Sequence, residues 1–262
     1  MPPPLKRFGQ NFLQNPYLQE KIVEALRIQT NDHILEIGPG HGALCPHIIR
    51  QNPAKYYAVE IDTRLIRALQ DKYSEKMQLI HGDFMQVDLK SVFQAETDTN
   101  KIIGNIPYNI TTPILFRILD NYQIINIAVL MVQKEVAERI ASRPGTKDYG
   151  IPSVVAQTYG KVEYLFDVER INFKPAPNVD SAVIRISLNK EITAIQNHDL
   201  FRQIVRQVFN YRRKMIRNSL YRIFDKRIVY SLKSVNLNDR PEQIDVEGFI
   251  NLSNELNERI KE

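Results

Sequence analysis

The sequence predicts an α/β protein: a doubly wound, mostly parallel sheet followed by a small all-helical region. Three observations carry that prediction. Short β-branched runs alternate with amphipathic helical patterns through the first two-thirds of the 262 residues, as repeated β–α–β units require. A glycine-rich turn, Gly38-Pro39-Gly40-His41-Gly42, joins a strongly apolar strand to a helix. Near Asn189 the pattern changes, and from His198 onward every segment reads as helix.

In chain order, Pro16–Leu26 reads as an amphipathic helix with Leu18, Ile22, Val23 and Leu26 on one face and Asn15 as its N-cap. Strands are expected at His33–Ile37, Tyr56–Ile61, Gln78–His81, Lys101–Gly104 and Ile127–Val132. Helices fit between them at Ala43–Gln51, Thr63–Tyr73, Pro113–Asn121 and Lys134–Ser142. Val162–Val168 and Ala182–Leu188 alternate in polarity and predict a closing antiparallel pair. Between them, Phe173-Lys174-Pro175-Ala176-Pro177 is excluded as a central strand, because two prolines remove ladder donors. The expected domains are residues 1–188, the α/β body, and 189–262, the helical region ending in Val246–Ile260.

Composition narrows the function classes. Hydrophobic residues at 43% and charged residues at 25% are globular values. The single cysteine, Cys45, forbids an intramolecular disulfide and a multi-thiolate zinc cluster, and it is expected to be a packing residue. The five histidines are scattered, so no metal is expected. The longest apolar run, Ile124 to Val132, is too short to span a bilayer, and the first residues lack an apolar leader core. The expectation is a cytoplasmic protein without membrane contact.

The glycine turn lets a ligand approach the backbone closely, with Pro39 stiffening it. Glu60, at the end of the next strand, stands where a carboxylate can accept from both hydroxyls of a ribose. These features indicate an adenosine-containing cofactor. Gly38, Gly40 and Ala43 also satisfy the loose dinucleotide pattern, so the loop alone leaves NAD and S-adenosylmethionine both open. Asp83, followed by Phe84 after the third strand, can hold an adenine amino group.

The fourth strand ends in Asn105-Ile106-Pro107-Tyr108, and this turn points to a chemistry. An adenine N6 amine is a poor nucleophile because its lone pair is delocalised into the ring. The Asn105 side-chain oxygen and a backbone carbonyl near Pro107 can both accept from that amine. Two acceptors favour a tetrahedral nitrogen with a localised lone pair, ready for a sulfonium methyl. Tyr108 can stack on the extruded base. Such a step needs positioning and electrostatics, with no metal and no strong base. An NAD enzyme gives no reason for this tetrapeptide.

Six segments of the body resemble one family closely: Gly9–Leu13, Glu36–Gly40, Asn105–Ile110, Gln133–Arg139, Pro144–Gly150 and Phe173–Ala182. In the tail, Tyr211–Lys214 and Arg240–Glu242 match as well. The chain resembles the KsgA-type small-subunit rRNA adenine dimethyltransferases over nearly its whole length. That resemblance implies a seven-stranded, Rossmann-like methyltransferase sheet and S-adenosylmethionine as cofactor. It implies N6,N6-dimethylation of two adjacent adenosines in a loop near the 3′ end of small-subunit rRNA, performed by a monomer on a pre-assembled, immature small ribosomal subunit during ribosome biogenesis. Position by position, Asn11, Leu13, Gly38, Glu60, Asp83 and Asn105 would line the cofactor pocket. Asn105, Pro107 and Tyr108 would hold the target amine, with Phe173 as a second stacking face. Asn178 stands where the family usually has lysine, and Cys45 where threonine is common.

The net charge of +5 is unevenly distributed. Between Phe201 and Arg227 lie Arg202, Arg206, Arg212, Arg213, Lys214, Arg217, Arg222, Lys226 and Arg227 against one acid, Asp225. The segment carries +8 and the rest of the chain −3. Read as one basic helical segment, it presents Arg206, Arg212, Arg213, Lys214 and Arg217 over three turns, and a phosphate backbone is the natural compensation. Arg212, Arg213 and Lys214 are the expected RNA-binding residues, with Lys6, Arg7, Lys147 and Lys174 as candidates to extend the surface. Two other readings compete. One is an Erm-like enzyme acting on a large-subunit adenine, which shares the glycine loop and the Asn-x-Pro-Tyr turn. The other is an assembly factor that keeps the fold and has lost catalysis.

Overall fold

A computed structural model describes residues 3–5, 9–93, 99–190, 192 and 194–261. The chain divides into two compact units, Met1–Ala137 with Gly160–Lys190, and Glu138–Tyr159 with Glu191–Glu262.

The first unit begins with a two-residue strand, β1 (Phe12–Leu13), and helix α1 (Pro16–Ala25). Asn15 caps α1, its side-chain oxygen accepting from the amides of Tyr17 and Leu18 at 3.1 and 3.4 Å, and Pro16 occupies a first-turn position where no amide partner is lost. Then follow β2 (His33–Ile37), α2 (Cys45–Arg50), β3 (Lys55–Glu60), α3 (Thr63–Tyr73), β4 (Gln78–His81), α4 (Leu89–Val92), β5 (Asn100–Asn105), α5 (Thr111–Asp120), β6 (Ile127–Gln133) and α6 (Lys134–Ala141). After α7 (Ile151–Tyr159) the chain returns with β7 (Gly160–Val168), β8 (Phe173–Lys174) and β9 (Ser181–Leu188).

Among the described residues the main sheet has seven strands in the order β4-β3-β2-β5-β6-β9-β7. The first five are parallel, while β9 runs antiparallel to both β6 and β7. This is the doubly wound sheet with a closing antiparallel pair that the polarity patterns predict. Apolar residues on both faces explain the arrangement: Ile34, Leu35, Ile102, Ile103 and Ala128 to Leu130 are fully buried, as parallel strands covered by helices on two sides must be. The strand order reverses between β2 and β5, so the chain leaves the sheet in opposite senses on either side of their carboxyl ends. That crevice is where doubly wound sheets bind ligands.

β1 and β8 form a separate two-stranded antiparallel sheet, pairing Phe12 with Lys174 and Leu13 with Phe173. The proline-rich segment thus contributes only a short strand outside the main sheet.

In the second unit, α8 (His198–Asn210) buries Phe201, Ile204, Val205 and Val208. Its neighbours are α7, α9 (Ile216–Leu220) and α11 (Val246–Arg259), with α10 (Lys226–Ser231) against α9 and α11. Phe249, Leu252 and Leu256 supply the facing surface of α11, and the Phe209 and Phe249 rings lie 5.7 Å apart. The Tyr159 hydroxyl and His198 Nδ1 share a hydrogen bond of 2.8 Å, joining α7 to α8. Residues 138–159 therefore group with the helical region, whereas the sequence division at 188/189 leaves them in the body. Helix α7 is not among the helices the sequence predicts, and its packing against α8 and α11 places it with the helical region.

The basic segment is not one helix. α8 ends at Asn210, and α9 begins only at Ile216. Tyr211 to Met215 form a turn closed by the Lys214 amide donating to the Tyr211 carbonyl at 2.7 Å. Arg212, Arg213 and Lys214 sit on that turn, which spreads their charges where a helix would stack them.

Candidate active site

The carboxyl ends of β2, β3, β4 and β5, with β1 and the residues before it, enclose a cavity of about 1040 Å³ of empty space, its open mouth included. Asn11, Leu13, Gly38, Glu60, Asp83, Asn105, Pro107 and Tyr108 all line it. Eight positions selected along 98 residues of sequence thus meet at one place.

The glycine loop is built by backbone geometry. Gly38 and Gly40 adopt φ values of +63° and +62°, in the left-handed region that favours glycine. A Cβ on Gly38 would meet nothing within 4 Å, so this backbone borders open space. A Cβ on Gly40 would lie 2.9 Å from the Phe12 ring, which itself stacks on His41 at 3.8 Å between centroids. Phe12 therefore closes over the loop, and only glycine leaves room beneath it.

Glu60 is almost fully buried, and each of its carboxylate oxygens accepts a backbone amide: Gly40 to Oε2 at 3.0 Å and Asp62 to Oε1 at 2.9 Å. Burial pushes its pKa up, and these two amides oppose the rise. Each oxygen retains a further lone pair for a ligand hydroxyl. Asp83 caps a short 3₁₀ turn, Oδ1 accepting from the Met85 amide at 2.9 Å, so Oδ2 is the oxygen left for a ligand donor. Phe84 lines the same wall, buried, and Ile61 adds an exposed apolar side chain beside Glu60.

Asn105 is oriented from the far end of the sequence. Its Nδ2 donates to the Asn11 backbone carbonyl at 2.9 Å, and Oδ1 has no protein donor among the described residues. The following turn sorts the two candidate carbonyls. Pro107's carbonyl accepts from the Ile110 amide at 3.1 Å and from the Thr111 hydroxyl at 3.4 Å, whereas the Ile106 carbonyl accepts no hydrogen bond from the described residues. The backbone acceptor near Pro107 is thus sharpened to Ile106. Half-buried Tyr108 shares a hydrogen bond of 2.8 Å between its hydroxyl and the Ser181 hydroxyl.

Phe173 stands apart. It is 4% exposed, pairs with Leu13 across the β1–β8 ladder and belongs to the hydrophobic core, outside the cavity lining.

Glu36 is a lining residue that the motif contains but whose role the sequence does not disclose. Its Oε2 accepts from the Tyr56 hydroxyl and, at 3.5 Å, from Cys45 Sγ. Burial raises its pKa to about 7, and the same burial pushes the Tyr56 phenol and the Cys45 thiol well up. Cys45 is fully buried in the core, as a packing residue would be. The available signal was an acid embedded in an otherwise apolar strand.

In the helical unit, Arg213 and Lys214 are exposed, while Arg212 is tied down: Nη2 donates to the Thr146 carbonyl at 3.1 Å and Nε lies 3.6 Å from Glu242 Oε2. Lys147 and Lys174 are exposed in their respective units, and Lys6 and Arg7 lie outside the described residues. Among the described residues no helix is long and apolar enough to cross a membrane.

A doubly wound sheet with a glycine loop after β2, a ribose-compatible acid at the end of β3 and an Asn-x-Pro-Tyr turn at the switch point defines the amino-methyltransferase class. The comparisons with known proteins are specific within it. The family model described as ribosomal RNA adenine dimethylase matches residues 5–258, and the chain belongs to that family. It is a dimethyltransferase of the KsgA kind. Ribosomal RNA small subunit methyltransferase A of Chlorobium phaeobacteroides (strain BS1) is 44% identical over 96% of this chain and 93% of its own length. The protein of the same name from Pseudomonas savastanoi pv. phaseolicola (strain 1448A / Race 6) is 38% identical over 97% and 95%. Among solved structures, a dimethyladenosine transferase from Plasmodium falciparum superposes with a TM-score of 0.79 at 23% identity, covering 95% of this chain and 98% of that one, a likeness of fold. The 23S rRNA methyltransferase ErmE superposes with a TM-score of 0.72 at 25% identity, covering 94% and 100%.

Proposed function

We propose that this protein uses S-adenosylmethionine to dimethylate N6 of two adjacent adenosines near the 3′ end of small-subunit rRNA, acting as a monomer in the cytoplasm on a pre-assembled, immature small subunit. The observation that carries the reading is the pairing of one oriented side-chain acceptor, Asn105 Oδ1, with one uncommitted backbone acceptor, the Ile106 carbonyl, on the wall of a cavity that suits an adenosyl group. Full-length relatives at 44% and 38% identity carry a small-subunit name, against 25% for the large-subunit enzyme ErmE, which favours the small-subunit substrate.

The residues present fit the cofactor. Gly38 offers backbone bordering open space, Glu60 offers a carboxylate with spare lone pairs for two ribose hydroxyls, and Asp83 offers Oδ2 to an adenine amine. Asn11, Leu13 and Asn105 complete the pocket wall. S-adenosylmethionine, when bound, supplies an electrophilic methyl. The protein's own part is to shape the target amine. Asn105 Oδ1 and the Ile106 carbonyl each accept an N–H of the adenine amine, drawing its nitrogen towards tetrahedral geometry and localising the lone pair. Pro107 holds the turn and brings no competing donor. Tyr108 stacks on the base, and Phe173 backs the wall through Leu13. Because the Asn105 amide is already held by Asn11, little reorganisation is needed when the base arrives. Arg213 and Lys214, with Arg212, hold the rRNA backbone.

Methyl transfer from labelled S-adenosylmethionine to unmethylated small and large subunits tests the reading. Label recovered as N6,N6-dimethyladenosine from small-subunit rRNA is the expected result. Preferential labelling of large-subunit RNA would assign the Erm-like substrate instead, and unimpaired subunit maturation by an Asn105→Ala variant would show an assembly role separable from catalysis.

A further inference from the structure

We infer that Ser181 is a positioning residue for methyl transfer, fixing the plane of the Tyr108 ring through the bond between their hydroxyls. This rests on the reading that Tyr108 stacks on the target base.

The topology makes Ser181 a rigid point of reference. It opens β9, and because β9 runs against β6, its first residue lies at the carboxyl edge of the parallel strands. There its backbone is paired on both sides, with Gln133 of β6 and Val168 of β7, and the residue is fully buried. Tyr108 follows β5, on the other side of β6, so its side chain reaches across the end of that strand to the Ser181 hydroxyl at 2.8 Å.

A tyrosine ring anchored only at its Cβ can turn about two side-chain bonds, and a face meant to receive a base gains from having those rotations stopped beforehand. Tyr108 is anchored at both ends, by the turn after Pro107 and by the hydroxyl. Burial pushes the Tyr108 phenol up, so it remains a protonated partner at neutral pH. The adjoining frame is equally fixed: Asp180 accepts the Arg170 amide through Oδ1 at 2.9 Å, and its carbonyl accepts the Lys134 amide at 3.0 Å. The bond adds no group to the reaction itself; it presents the ring's face at a set angle.

The test compares Ser181→Ala, Tyr108→Phe, their double variant and Tyr108→Ala in the full chain, with kcat and KM for unmethylated small subunits and S-adenosylmethionine affinity measured separately. Ser181→Ala and Tyr108→Phe each remove the same bond, from opposite ends, so a folding defect in one does not decide the matter. Each is expected to lower kcat about tenfold, the kinetic equivalent of one hydrogen bond, with cofactor affinity unchanged. The double variant should be no worse than either single one. Losses that multiply in the double variant, or a Ser181→Ala defect that follows cofactor affinity and folded fraction while kcat stays put, would overturn the inference. A crippled Tyr108→Ala beside a fully active Ser181→Ala rejects the positioning role alone. A fully active Tyr108→Ala rejects the stacking reading and the inference with it.

Discussion

The Asn105 side-chain amide donates to the Asn11 backbone carbonyl at 2.9 Å, joining two positions 94 residues apart. An isolated asparagine amide can flip and present either end. Here the nitrogen is engaged, so the oxygen is the atom available for a substrate amine. The segment before β1 thus sets the polarity of the turn that follows β5, besides walling the cavity.

Asn105→Ala removes an acceptor preorganised for the developing charge, and kcat should fall roughly 10²- to 10³-fold. Asn105→Asp keeps two oxygens but has no donor for the Asn11 carbonyl, and it sets a negative charge against that oxygen. Its kcat should also fall, by at least about tenfold. Single-turnover transfer of labelled methyl groups to unmethylated small subunits measures both. An aspartate variant as active as the wild type would show that the Asn11 bond does not orient the acceptor.

Two of the three loop glycines, Gly38 and Gly40, should respond differently to alanine. Both sit at φ near +60°, so either substitution carries about 1–2 kcal/mol of left-handed strain. At Gly38 the added methyl enters open cavity space, and the main effect should be weaker S-adenosylmethionine binding. At Gly40 the methyl meets the Phe12 ring at 2.9 Å, and that ring must leave its stack on His41. Gly40→Ala should therefore lose several degrees more in Tm than Gly38→Ala. Thermal unfolding and cofactor titration of the pair give the comparison.

What the sequence disclosed follows the range of the forces involved. The parallel strands and the cavity residues at their ends were legible because both are local: an apolar run, then glycine, acid or asparagine where it stops. β1 and β8 were not, because two-residue strands have no period, and their pairing joins segments far apart in sequence. The resemblance implies a stacking face at Phe173, whereas its side chain is buried in the core and outside the cavity lining. Glu36 could be seen but not interpreted, since its partners Tyr56 and Cys45 come from a neighbouring strand and helix. The break in the basic segment lies at the turn of residues 211–215, and Arg212 within it is held by Thr146 and Glu242, neither of which lies near it in sequence.

That break divides the basic cluster by task. Arg213 and Lys214 are exposed, whereas Arg212 is engaged within the helical unit. Replacing Arg213 and Lys214 with alanine should weaken small-subunit binding and reduce the slope of log K against log salt by about one per residue, with S-adenosylmethionine affinity and Tm unchanged. Arg212→Ala should also lower Tm, because the Thr146 carbonyl and Glu242 lose their partner. Filter binding across a salt series, beside thermal unfolding, separates the two effects. A salt slope unaltered in the double variant would remove these residues from the RNA contact.

Glu36 predicts a pH dependence of stability with a definite sign. Burial raises its pKa from 4.5 to about 7, while the Tyr56 and Cys45 hydrogen bonds restrain the rise and the Glu60 charge adds to it. Between those two values the folded protein holds a proton that the unfolded chain releases. This contribution is therefore fully present below about pH 4.5 and is lost as pH rises to about 7, by at most about 3 kcal/mol. Above that range the folded protein keeps a buried carboxylate whose charge is spread over two neutral donors, Tyr56 and Cys45, both still protonated. Glu36→Gln has no proton to lose. Its stability, relative to wild type, should rise as pH climbs from 4.5 to 7 and level off beyond. Glu60 and Asp62 titrate in both proteins, so denaturant midpoints taken as a difference between variant and wild type report Glu36 together with its coupling to the Glu60 charge. A difference that stays flat across the window would mean that the carboxyl is ionised throughout and that Tyr56 and Cys45 already compensate its burial in full.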